Sequence, residues 1–176
     1  MTETAEIPEA KDPFEKRVAL TIAALAVILS IISTAGDNAK SESLLAATRA
    51  SNNWAYYQSK SIKEHSFELQ KELISLFPVA SIDKTAREKV IAKYEAFVTR
   101  YAKEKEEIKA KAEELEKEVI YNGNINDRCD LAAVFLQIAI VLGSVAILVR
   151  WKLFWYVSVG LGLVGTIMGA LPFIRH

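Results

Sequence analysis

His65, His176 and Cys129 are the side chains best suited to hold a transition metal or to serve as base and nucleophile, and the sequence keeps them far apart. Zinc ligands recur at short helical or turn spacings, and no His-Glu-x-x-His or paired-cysteine pattern occurs. The serines are numerous, yet none stands in a Gly-x-Ser-x-Gly elbow, and no glycine-rich loop precedes a lysine to cradle phosphate. Glu106 and Glu107 are adjacent carboxylates, but the lysines around them mark a solvated helix face rather than an acid/base pair. The chain is therefore expected to be non-enzymatic, with no catalytic residue, no cofactor, no metal and no small-molecule substrate. Basic and acidic residues are equal in number, 22 of each, which leaves no basic surplus for a phosphate backbone and excludes nucleic acid as a partner.

The residues that do stand out are aromatic. Trp54, Tyr56 and Tyr57 fall within four positions of an otherwise polar, helix-prone stretch that begins at Asn52. Large rings beside polar residues are the composition of buried protein contacts. Asn52, Trp54, Tyr56 and Tyr57 are accordingly the candidate protein-interaction residues.

The elements that must carry them divide between two solvents. Residues 18–35, VALTIAALAVILSIISTA, hold no charge, and at 1.5 Å rise per residue they extend roughly 27 Å, just enough to cross a bilayer. The leader 1–17 is long and acidic where a secretory signal is short and basic, so this span is expected to stay as an anchor. Residues 131–149 and 153–174 are two further uncharged runs separated only by Arg150, Trp151 and Lys152, which makes them an antiparallel pair in the membrane. Lys16 and Arg17 before the first span, with Arg150 and Lys152 between the others, place the amino terminus on the cytoplasmic side. The segment 36–130 and the carboxyl terminus then lie outside the cytoplasm.

Within the third span, Gly162, Gly165 and Gly169 form a helix-packing face of small residues that permits close approach of another helix. Gln137 is the most polar large side chain in the spans and is expected to hydrogen-bond to a neighbouring helix.

Segment 36–130 is rich in Ala, Lys, Glu and Leu, and Pro78 is its single proline. Leu45, Thr48, Asn52, Ala55, Ser59, Ile62, Ser66, Leu69, Leu73 and Leu76 alternate in steps of three and four, the mark of a coiled-coil seam. Past a turn near 78–83, Thr85 and Glu88 have capping-box spacing, and Val90, Tyr94, Phe97, Tyr101, Ile108 and Leu115 carry a second seam that ends at the turn signal Asn122-Gly123-Asn124. The fold class expected is an all-α membrane protein: three transmembrane helices with a long antiparallel coiled-coil hairpin inserted between the first and second. In that register Asn52 and Ala55 face the partner arm, Trp54 and Tyr57 face away from it, and Tyr56 flanks the seam. Cys129, the one thiol, sits where stalk meets membrane and is expected to label from outside the cell.

The block WAYYQSKSIK, with the NDRCD that leads into the terminal pair of spans, resembles a bacterial family catalogued as domain of unknown function 4337. The resemblance covers most of the chain and implies a small protein of the bacterial cytoplasmic membrane; it brings no activity and no catalytic residue. The function expected is that of a structural or accessory interaction subunit in the lipid bilayer, a homo-oligomer or part of a membrane protein complex. The alternative is an oligomeric channel or transport component built around the glycine-rich third span, although no ionisable side chain interrupts any span.

Overall fold

The computed structural model describes residues 13–76 and 84–174. They form three helices, α1 Pro13–Leu76, α2 Lys84–Val149 and α3 Lys152–Ile174, and no strand occurs among the described residues. Each helix contains a segment long and apolar enough to cross a membrane. The predicted turn near 78–83, most of the leader and His176 lie outside the described residues. The first two spans are the ends of very long helices, of 64 and 66 residues, rather than separate elements. The turn predicted at Asn122-Gly123-Asn124 does not form. Asn122 is buried on the packed side of α2 and Gly123 half-buried beside it, so packing outweighs the roughly 1 kcal/mol that glycine costs a helix. α2 is already helical at Lys84, which puts Thr85 inside the helix rather than at its cap.

The chain divides into two compact units, one formed by residues 1–41 with 122–176, the other by 42–121. In the first unit, the start of α1, the end of α2 and all of α3 pack around Leu25, Ile32, Ala132, Leu136 and Ala139. Lipid is as apolar as leucine, so burial in such a unit gains through close contact rather than escape from water. Small residues make that contact possible. Ser158, Gly162, Gly165 and Gly169 are the buried residues of α3, and the Ser158 hydroxyl donates to the Ala139 carbonyl at 2.6 Å. Between α2 and α3 the turn is closed by Arg150 at φ 54°, the left-handed conformation that ends a helix tightly. Its guanidinium meets Glu15 at 3.2 Å. This brings the cationic pair of α1 and that of the α2–α3 turn to one end of the unit, together with Phe14 against Trp155 at 6.1 Å. Gln137 departs from expectation: it is on the outward face of α2, not against a neighbouring helix.

In the second unit α1 and α2 run antiparallel. Ser43 donates to the Val119 carbonyl at 3.1 Å, Lys60 pairs with Glu104, and Lys71 with Glu95 at 3.4 Å, so positions rise on one helix as they fall on the other. The side of α1 turned to α2 is not the predicted seam. Ala46, Ala50, Tyr57, Lys60, Glu64 and Phe67 are buried or half-buried there, while Leu45, Ile62, Leu69, Leu73 and Leu76 stand exposed, Ile62 at 70% and Leu76 at 71%. On α2 the predicted Tyr94, Phe97, Tyr101, Ile108 and Leu115 do turn inward, whereas Val90 is exposed.

The physical reason is that rings and ion pairs outweigh aliphatic count. Phe67 stacks at 4.8 Å on Phe97 and at 5.9 Å on Tyr101, and lies 5.6 Å from Tyr94. A face presenting Ile62 and Leu69 inward would forfeit that cluster, since aromatic pairs are worth about 0.5–1.5 kcal/mol beyond their buried area.

Candidate interaction surface

The WAYYQSKSIK block supplies the middle layer of the second unit. Lys60, 8% exposed, lies between the helices and bonds Glu104 Oε2 at 2.5 Å, while Arg100 holds the other carboxylate oxygen at 2.7 Å. One turn away, Lys105 of α2 bonds Glu64 of α1 at 2.5 Å. Two cross-helix pairs of opposite polarity thus stand side by side, lysine to glutamate in one direction and glutamate to lysine in the other. Aromatic faces roof them: the Lys60 ammonium is 5.1 Å from the Tyr56 ring centre and 5.0 Å from that of Tyr101, and Lys105 is 5.4 Å from Tyr57. Cations over ring faces keep part of the stabilisation that water would have given them.

The charges respond as such a layer requires. The Lys60 ammonium, beside Glu104 above all and then Tyr56, is held above its ordinary 10.5, and the Glu64 partner does the same for Lys105. Glu104, bonded first by Lys60 and then by Arg100, is held below its ordinary 4.5. No group of three metal-ligating side chains gathers among the described residues.

Of the predicted interaction residues, Trp54 and Tyr57 are placed differently from expectation. Both are half-buried and turned toward α2: the Trp54 indole N–H donates to Glu116 Oε1 at 2.8 Å, and its ring meets Tyr57 edge to face at 5.6 Å. Asn52 and Ala55, predicted to face α2, are exposed, and Tyr56 is 51% exposed. The rings and the seam have exchanged sides, because α1 presents Ala46, Ala50 and Lys60 rather than Leu45, Asn52 and Ile62 to its partner. Sequence reasoning missed Lys60, Glu64, Glu104 and Lys105 as interior residues. Their signal was present: Ala39, Ala46, Lys60, Phe67 and Ile74 fall on a seven-residue repeat with Ala50 and Glu64 between, but two charged members made it look like a solvated face.

One stripe of α1 remains uncovered between the exposed flanking residues Arg49, Lys63 and Glu72. Leu45, Thr48, Asn52, Ala55, Ile62, Ser66, Leu69, Leu73 and Leu76 are all exposed, with Ser59 half-buried between them, and no Asp, Glu, Lys or Arg interrupts the set. The outward side of α2 is a different surface, with Lys103, Glu106, Glu107 and Glu114 exposed. A helix face meant for water looks like the second, not the first.

The helix-packing glycines are all engaged within the chain. A Cβ on Gly162 would meet Leu25, one on Gly169 would meet Ile32, and one on Gly165 would lie 3.0 Å from the Ala132 carbonyl oxygen. The glycine face that favoured a channel is therefore occupied. Cys129 is also covered, 1% exposed and set against Gly36, where an added Cβ would come within 2.8 Å of its own. It is not the open label site expected from sequence. In the folded protein its modification by maleimide should be at least about tenfold slower than in SDS, since the thiol reacts only when local opening exposes it; equal rates would show that α1 and α2 do not close over it.

The described residues are all helical, and three helices long and apolar enough to cross a membrane, two of them prolonged into a paired helical unit with an ion-pair core, fit a protein of membrane type. The family described as domain of unknown function (DUF4337) matches residues 14–175, and the chain belongs to that family. No curated protein and no solved structure matches it.

Proposed function

We propose that this chain is a non-enzymatic, multi-pass subunit of a bacterial cytoplasmic membrane whose long hairpin is a structural or accessory contact element. The amino terminus is cytoplasmic, and the α1 and α2 portions of segment 36–130 pair as an antiparallel coiled-coil stalk outside the cytoplasm. Support for the orientation comes from the two cationic clusters sharing one end of the first unit, linked by Glu15 and Arg150, with Trp151, Trp155 and Tyr156 near them as an interfacial belt.

The observation that carries the contact role is the uncharged, exposed stripe on α1 from Leu45 to Leu76. Exposed leucines at heptad spacing lie on a helix whose other side is already fully engaged, and such a surface is covered in the working assembly. The ion-pair layer serves this role indirectly. It holds the two arms in one register, so that the stripe is a rigid ridge.

Native mass spectrometry after extraction in a mild detergent tests the reading. Particles containing more than one 19.6 kDa chain, or this chain with a stoichiometric partner, are expected. A lone chain under every gentle extraction condition would overturn it.

A further inference from the structure

Resting on that reading, we infer that the occupant of the α1 stripe is a second copy of this chain, the two α1 helices running parallel with each seam residue facing its own equivalent. The spacing names the kind of partner. Steps of three and four are filled by the side chains of another helix with the same repeat, each residue entering a hole made by four across the contact. Two copies inserted in one membrane by the same spans point the same way, and a two-fold axis along the membrane normal brings identical positions together.

The residues suit that arrangement. Leu45, Asn52, Ser59, Ser66 and Leu73 take the a positions, and Thr48, Ala55, Ile62, Leu69 and Leu76 the d positions. One asparagine at an a position is the residue that fixes register and strand number in parallel pairs, at some expense of stability. The flanks raise no like-charge conflict. Across a parallel pair Gln58 meets Lys63, His65 meets Gln70, and Leu44 meets Arg49. The stripe is also long enough: 32 residues at 1.5 Å rise give about 48 Å, and with a helix width of about 10 Å the footprint is about 480 Å² per copy, near the ~1,000 Å² total that marks a specific interface. Counted back along the sequence, the same alternation reaches Thr34, Ile31, Val27 and Leu20, all exposed.

Disulfide trapping in native membranes tests the inference on the full chain with Cys129→Ala. Ile62→Cys and Leu69→Cys, oxidised with copper phenanthroline, are expected to give a covalent dimer at least tenfold more abundant than Glu107→Cys on the outward side of α2. Adding Leu73→Glu and Leu76→Glu should abolish the Ile62→Cys dimer while leaving the helical circular dichroism unchanged, because both side chains are more than half exposed. Equal trapping at Glu107 would mean random collision and would overturn the inference. Absence of dimers at both seam positions would also overturn it, and native mass spectrometry of the same sample separates the two readings. A stoichiometric foreign partner leaves the contact role standing with a different occupant, whereas a lone chain removes both.

Discussion

Gly165→Leu should disassemble the first unit, whereas Gly160→Ala five residues away should leave it intact. A Cβ at Gly165 meets the Ala132 carbonyl oxygen at 3.0 Å, the Leu136 Cγ at 3.0 Å and the Phe135 Cβ at 3.2 Å, and the first of these is backbone of a packed helix. Nothing lies within 4 Å of the corresponding position at Gly160. The order among the glycines is itself a test. Gly162 and Gly169 show nearer encounters, but with the ends of Leu25 and Ile32, side chains that can rotate aside. Gly165→Ala is therefore expected to cost more than Gly162→Ala, by an overpacking penalty on the order of 1–3 kcal/mol, and leucine at 165 more still. Gly160→Ala should be neutral or gain up to about 1 kcal/mol from helix propensity. Unfolding titrations in mixed SDS micelles measure all four, and a Gly165→Leu midpoint equal to that of the parent would show that α3 does not pack on α2 through this face.

Lys60→Glu should give the largest loss in the second unit. It sets a new carboxylate beside Glu104 and removes the ammonium that lies over Tyr56 and Tyr101. Lys60→Met, of similar length and uncharged, should cost less than Lys60→Glu, because it adds no like charge and leaves Glu104 still bonded to Arg100. Restoring opposite charge with Lys60→Glu and Glu104→Lys together should recover part of the loss, a coupling that only residues in contact display.

The pH profile has a definite sign. Glu104 is held below its ordinary 4.5, so its contribution is present above that value and is lost as pH falls through the lower folded value. Lys60 and Lys105 are held above 10.5, so theirs is present below that value and lost as pH rises through the higher folded value. The unit is then most stable in the broad window between. Thermal melts of the full chain by circular dichroism should show Glu104→Gln lowering the midpoint at neutral pH while flattening the acid-side decline. A parallel decline in parent and variant would mean that Glu104 is not linked to folding.

Some of this was legible from residue order alone. The three apolar runs, the all-helical character and the family follow from composition, span length and the WAYYQSKSIK block, because an uncharged helix of about 18 residues has few other solvents in which to lie. Asn122-Gly123-Asn124 shows the opposite case. Its local turn preference is real but weak, and the packing of Asn122 and Cys129 on α1's side of the bundle carries the helix through.

The sequence by itself determined that α1 has two seams in alternating steps of three and four, since both repeats are written in the spacing of its residues. Which seam meets α2 was decided by tertiary structure alone. Counting aliphatic residues favours Leu45, Ile62, Leu69, Leu73 and Leu76, yet a lysine or glutamate becomes an interior residue only when an opposite charge and ring faces arrive from the other helix to replace water. Glu104, Lys105 and Tyr101 supply these from some forty residues further along the chain. With Lys60 and Glu64 drawn inward, Trp54 and Tyr57 turn toward α2, and the leucine seam is left facing out.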